Sequence, residues 1–285
     1  MRVFLLSMLT VLPLAVAQQR LLEPTDLPLR QEVAAALTAT LAEATDLPST
    51  VALAAIAGTR LPSGSAARGQ LDTALRGANL SVGGKQALRA LRGELGDLAA
   101  TLAFAPVQQA ELPKGFPGFQ AVDELELRHY PVYRMVRTGM KGGSNGAFWP
   151  LFRHIESNGI AMTTPVQMDW GKPAGQSAER PLLMAFLYGD PTITPQHTAD
   201  GVEVVEVPAL TVLSIGAIGD DRRDRVDELH ARLLAFVAAH QDTWQVAGAL
   251  RTMGYNSPMV SRDRRYFEVQ LPVRPVETVG TAVIR

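Results

Sequence analysis

Two patterns of apolar positions divide the chain. From about Leu29 to Phe104 the residues are mostly Ala and Leu with almost no aromatics, a composition that favours helix because these side chains lose little freedom there. Leu88, Leu91, Leu95, Leu98 and Leu102 alternate in steps of three and four, which places all five on one helix face. Val33 to Leu41 and Val51 to Ala57 are its expected partners, with Pro48 suited to a first helical turn and Pro62 to Gly69 read as loop. The expectation is a small helical domain over residues 18–112.

Pro113-Lys114-Gly115-Phe116-Pro117-Gly118 breaks this pattern, so a linker is placed at 113–118. Beyond it the apolar spacing shortens. Val122 to Arg128 alternates as a half-buried strand does, and Val132 to Thr138 is expected to return beside it after Tyr130-Pro131. Phe148, Leu151, Phe152 and Ile155 then follow helical spacing, with Pro150 expected in the first turn and Asn158-Gly159 at the end. Ser144 and Asn145 are candidate caps. Strands are expected at Ala161 to Met168 and Leu182 to Tyr188. A second round has strands at Val202 to Val207 and Thr211 to Ile215, a helix from Asp221 to His240 capped by Asp220 or Asp221, and strands at Val246 to Thr252 and Tyr266 to Val273. Two similar β-β-α-β-β units predict an α+β fold, one antiparallel sheet or distorted barrel carrying two helices, over residues 119–274, with 275–285 as a tail.

Composition narrows the function. Arg2, the apolar run Val3 to Leu14 and Ala15-Val16-Ala17 have the form of a signal peptide over residues 1–17, implying an exported, periplasmic or secreted protein that starts near Gln18. The run is interrupted and shorter than a membrane span needs, so no stable span is expected. The 285 residues include no cysteine, which removes disulfides, thiolate metal sites and covalent c-type haem attachment. With 47% hydrophobic residues and a formal net charge of -1, the chain has ample core material and no electrostatic bias towards nucleic acid.

The segment with most chemistry runs from Gly142 to Val166. Its glycine loop, aromatic helix and Ile160-Ala161-Met162-Thr163-Thr164-Pro165-Val166 strand hold no charged pair or catalytic triad, and they suggest binding of a flat apolar ligand. Gly142 to Gly146 also satisfies Gly-x-Ser-x-Gly, which makes a hydrolase using Ser144 the rival reading. Against it, Lys141 stands where a buried strand residue is expected, and the flanking strands are antiparallel in pattern. A protein-interaction module is the third reading. His154, His197, His230 and His240 lack metal-ligand spacing and are expected at the surface.

With Arg128-His129-Tyr130, Phe148 to Ile155, Ile160 to Val166 and Gly254-Tyr255-Asn256-Ser257-Pro258 in this order, the sequence resembles the SOUL haem-binding protein family. The resemblance implies a distorted antiparallel β-barrel of two pseudo-symmetric halves. It also implies non-covalent binding of haem or another tetrapyrrole in an apolar cleft, as a carrier, buffer or sensor rather than an enzyme. In some members a histidine before the Tyr is the proposed iron ligand, and His129 holds that position. Phe148, Trp149, Phe152 and Met162 are candidate walls, Trp149 above all because it lies off the core stripe. Arg128, Arg134, Arg153 and Arg251 are available for the propionates. Burying roughly 500 Å² of porphyrin at ~25 cal/mol/Å² gives on the order of 12 kcal/mol gross, which association costs of roughly 4 to 15 kcal/mol largely offset.

Overall fold

The computed structural model describes residues 19–80, 84–171 and 180–277, so the expected signal peptide at 1–17 and most of the tail lie outside the described residues. Four helices come first: α1 (Asp26–Glu43), α2 (Leu47–Gly58), α3 (Ala66–Leu80) and α4 (Gly84–Ala103). Their core is Val33, Leu37, Ala54, Leu71, Leu91, Leu95, Leu98 and Leu102, so the leucine stripe faces inward as its spacing requires, with Leu88 half-buried at its end. Asp46 caps α2 by accepting from Ser49 N at 2.8 Å, with Pro48 in the first turn.

The helix α3 corrects the loop reading of residues 66–69. Its glycines lower local propensity, but Glu124, distant in sequence and adjacent in space, accepts from Ala66 N at 3.0 Å and Ala67 N at 3.2 Å. The same carboxylate pairs with Arg30 of α1, and both side chains are almost fully buried. Ser65 completes the cap locally by accepting from Arg68 N at 3.2 Å, a signal that the loop reading passed over, whereas the Glu124 part comes from 57 residues away and leaves none.

The remainder is β1 (Leu125–Tyr130), β2 (Tyr133–Gly139), α5 (Gly143–Ser157), β3 (Val166–Asp169), β4 (Leu183–Leu187), β5 (Glu203–Val207), β6 (Leu210–Ile218), α6 (Arg223–Ala239), β7 (Trp244–Val246), β8 (Arg251–Gly254) and β9 (Tyr266–Pro275). The strands form one antiparallel sheet in the order β1-β6-β9-β8-β3-β4-β2-β5, with β7 added on β9. It curls into a half-barrel, and α5 and α6 cover one face. The fold is α+β, and its halves are pseudo-symmetric about the β8–β3 pair.

The expected hairpin of β1 and β2 does not form. Instead β1 pairs with β6 of the second unit, and β5 pairs with β2 of the first. Each unit thus lends its opening strand to the other. The links are only Pro131-Val132 and Pro208-Ala209, and proline has no N–H to continue a ladder, so the chain turns a corner at each. Other expectations shift by local chemistry. Residues 161–165 run extended outside the sheet, with a cis Thr164–Pro165 bond. The stretch 246–252 divides between β7 and β8.

Alternation sorts the side chains of the sheet. Leu213, Ile215, Val269 and Leu271 face α6, and Val136, Met184 and Phe186 face α5. The opposite, concave face carries a buried polar network. Glu268 accepts from Arg128 at 2.5 Å, Tyr266 OH at 3.1 Å and Gln270 Nε2 at 2.7 Å. Arg251 donates to Gln270 at 2.9 Å and to the Tyr133 hydroxyl at 2.8 Å. Residues 104–120 seal this face: Phe116 packs edge-on to Tyr130 and Tyr133, and Phe119 lies against Tyr255 and Tyr266. The segment read as a linker is therefore a plug held by side-chain packing.

Glu126, on this sealed face of β1, makes a pH prediction. Burial first, then the Glu268 and Glu124 carboxylates, push its carboxyl up to about 7, against the pull of Arg128 and the Ala121 N–H. A raised carboxyl favours the protonated form in the fold, so its contribution is full below the ordinary value of 4.5 and is lost as pH rises through about 7. Glu126→Gln should stabilise by about 2–3 kcal/mol at pH 8 and by almost nothing at pH 4.5, read from urea melts. Equal effects at both pH values would contradict the shift.

Candidate functional site on the helix-covered face

The helix α5 starts earlier than its aromatic stripe suggests. Gly142, with φ +82°, turns the chain into it, and no side chain caps it, so Ser144 and Asn145 do not have the expected role. Pro150 lies inside the helix, not in the first turn. Its ring would crowd the carbonyl of Gly146, four residues back, where any added Cβ would in turn lie 2.4 Å from Lys141 O. The buried stripe is Ala147, Leu151, His154 and Ile155.

This rotation decides where the aromatic residues point. Phe148 and Phe152 are half-buried along the rim, stacked on each other at 5.8 Å, and Phe148 meets Phe186 of β4 at 5.2 Å. Trp149 is 57% exposed, with edge contacts to Phe148 at 5.5 Å and Phe152 at 6.0 Å. Met162 packs half-buried against the same cluster. The four residues Phe148, Trp149, Phe152 and Met162 therefore form one aromatic ridge, rigid at its base and open at Trp149.

His129 lies elsewhere. It is exposed on β1, and its Nδ1 is 3.0 Å from Thr211 Oγ1, a contact that can fix the ring and leave Nε2 facing outward. No contact among the described residues joins it to the ridge. Of the arginines, Arg128 and Arg251 are buried in the polar network, and Arg134 pairs with Glu206 at 3.3 Å and donates to Ile193 O at 2.7 Å. Arg153 is exposed, one helical turn from Trp149.

Two histidines expected at the surface are buried. His154 has no exposed area, and its Nε2 meets the Tyr188 hydroxyl at 2.7 Å. Burial holds its ring below the usual imidazole range, and burial also raises Tyr188 to about 12. His230 on α6 is 6% exposed and likewise depressed by burial. His154 stands three residues after Leu151, so the spacing that found the stripe could have found it.

The sequence reading also passed over a hollow of about 300 Å³ between the N-terminal ends of α5 and α6, lined by Met140, Gly143, Ser144, Met168, Trp170, Arg180, Pro181 and Asp221. Met168 packs on the clusters of both helices, which places the hollow near the pseudo-symmetry axis. Asp221 does not cap α6. It accepts from Thr252 Oγ1 at 3.1 Å, which in turn accepts from Trp170 Nε1 at 3.0 Å. Asp220 instead pairs with Arg262 at 2.7 Å and Arg265 at 2.5 Å. A larger hollow of about 970 Å³ between α3, α4 and α6 is lined by Arg68, Arg76 and Arg232 against Asp72, Glu94 and Asp97, a wall with no dominant sign.

For the nucleophile reading, Ser144 is exposed in the first turn of α5, and among the described residues no histidine lines its hollow. The preceding strand, β2, pairs antiparallel on both sides, unlike the strand of a nucleophile elbow.

A duplicated β-β-α-β-β half-barrel with an aromatic helix rim defines the class, an α+β domain of two pseudo-symmetric halves. The chain belongs to the SOUL family: the family model described as SOUL heme-binding protein matches residues 116–272. The search of curated proteins gives no match. Among solved structures, the EcmrR C-terminal domain is similar at 12% identity and TM-score 0.44, over 54% of this chain and 98% of that one. An uncharacterized conserved protein from Listeria innocua is similar at 12% identity and TM-score 0.41, over 54% and 93%. A hydrolase from the same organism is similar at 12% and 0.40, over 55% and 94%.

Proposed function

We propose that the protein binds haem or another tetrapyrrole non-covalently, with the macrocycle laid on the ridge of α5. Membership of the family supports this reading, and the observation that carries it is Trp149, an indole 57% exposed and braced by two phenylalanines. An open aromatic surface on a helix offers a flat ring a stacking partner without the cost of first unpacking the core. The concave side of the sheet is sealed by residues 104–120, which supports placing the ligand on the helix side. Phe148, Trp149, Phe152 and Met162 would hold the ring, and Arg153 is placed to meet a propionate. When bound, haem would supply an iron centre for redox or gas chemistry.

The donor set suits the ring better than the metal. His129 can present an outward Nε2, but it stands apart from the ridge, so packing is expected to dominate affinity. Trp149→Ala should weaken hemin at least about tenfold, a loss of roughly 1.4 kcal/mol. His129→Ala should change affinity by less than about threefold and leave the Soret position unmoved. Absorbance titrations check both. A large Soret shift in His129→Ala with no effect of Trp149→Ala would place the ligand on β1 instead. The Arg2 to Ala17 pattern further supports an exported protein, handling its tetrapyrrole outside the cytoplasm as a carrier, buffer or sensor.

A further inference from the structure

The hollow at the head of α5 and α6 is chemically unlike the ridge. Its walls include the soft, polarisable side chains of Met140 and Met168 and the indole of Trp170, which is 3% exposed. One carboxylate enters it, that of Asp221. Its side-chain partner is the Thr252 hydroxyl at 3.1 Å, and among the described residues no ion pair reaches it. The arginines that follow it in the chain, Arg222 and Arg223, pair with Asp224 and Asp227, and Arg262 and Arg265 pair with Asp220. Burial, and secondarily the neighbouring Asp220, hold the Asp221 carboxyl above its usual range, so a cation placed against it would favour its ionised form. Arg180 is exposed at the rim and forms no ion pair among the described residues.

We propose that this hollow is a second ligand site, taking a small organic cation with an apolar or aromatic body, its charge against Asp221 and its body against Met140, Met168 and Trp170. The chemistry follows from what the walls offer. A carboxylate with one hydroxyl donor attracts positive charge, and thioether and indole groups favour a weakly hydrated ammonium over a strongly hydrated one such as a lysine head. At about 300 Å³ the volume is at the small end for ligand pockets, too little to enclose a tetrapyrrole, so the two sites would be filled independently. The inference does not rest on the tetrapyrrole reading.

The test is titration of the full chain with trimethylphenylammonium, by calorimetry and by the methionine methyl resonances. The neutral molecule of the same shape, tert-butylbenzene, is the comparison. Saturable one-to-one binding is expected, with shifts at the Met140 and Met168 methyls and at least tenfold weaker binding of the neutral molecule. Asp221→Asn keeps the Thr252 contact and should weaken the cation at least tenfold. Its thermal melt shows that it is folded, and its hemin titration should match that of the unaltered chain. Arg180→Ala should bind the cation as tightly or more tightly. Three results would overturn the proposal: no shift of either methyl in the unaltered chain, equal binding of the cation and its neutral counterpart, or binding that emerges only in Arg180→Ala. The last would mean that the arginine itself fills the hollow. None of these bears on the ridge, whose failure would be read separately in Trp149→Ala with hemin.

Discussion

Glu268→Ala should cost about 3–5 kcal/mol of stability and leave the chain close to unfolding at 37 °C. Glu268 has no exposed area, and its two carboxylate oxygens collect Arg128, Tyr266, Gln270 and, at 3.5 Å, Tyr130. Removing it leaves the Arg128 guanidinium, 4% exposed, as a buried cation whose remaining hydrogen bonds go to the neutral Gln120 side chain and Gly118 O, with the Glu126 carboxylate no nearer than 4.0 Å. A buried charge without its partner is far more costly than the pair is favourable, which is why the truncation should exceed the effect of removing an apolar side chain of similar size. Arg128→Met, which removes the cation while filling its volume, should not restore the double variant fully, because three other donors still face the gap. Urea denaturation gives the value, and a loss below about 1 kcal/mol would show that the network is not the core of the half-barrel.

The second large effect is expected at the contact between the helices and the barrel. Glu124 is 1% exposed, pairs with Arg30 and caps α3 through two backbone N–H groups. Glu124→Ala therefore leaves Arg30 buried without its carboxylate, a loss of about 3–5 kcal/mol, and frees two N–H groups of α3, worth up to roughly 1 kcal/mol more because Ser65 still caps Arg68 N. Arg30 retains one bond to Val122 O at 3.1 Å, which places the expectation towards the lower end. Amide exchange should rise first at Ala66 and Ala67, the two N–H groups that Glu124 accepts from at the start of α3. Unchanged exchange there, with a melt within 0.5 kcal/mol of the unaltered chain, would remove the junction from the account.

These two residues also mark the limit of what the sequence shows. Periodicity reveals which face of an element is buried, so the α4 stripe and the Val226, Leu229 and Leu233 face of α6 were legible, as was the repeated order of strands and helices. Periodicity does not reveal which strand pairs with which. The exchange of β1 and β5 between the halves depends on Pro131 and Pro208 turning the chain at a corner, and a two-residue link reads equally well as a hairpin. The same limit hid half of the α3 cap, which Glu124 supplies from beyond the next helix, while the Ser65 half lay in the local sequence.

The candidate site was legible in part. Phe148, Trp149, Phe152 and Met162 do meet, because three share one helix and the fourth follows it closely, and short separations constrain position. His129 was joined to them by resemblance alone, and no contact among the described residues joins it to them. Met168, Trp170 and Asp221 come together only through the pairing of β3 with β8 and the packing of both helices, contacts that no local pattern encodes. The buried acids and tyrosines of the concave face read in the sequence as ordinary alternating strand residues. Their partners lie up to 146 residues away.

A hemin titration of the purified chain, followed at the Soret band, tests the central claim most directly. The account predicts a saturable spectral change complete near one equivalent, lost or weakened at least about tenfold in Trp149→Ala. A non-saturating, linear rise identical in the two proteins would contradict it.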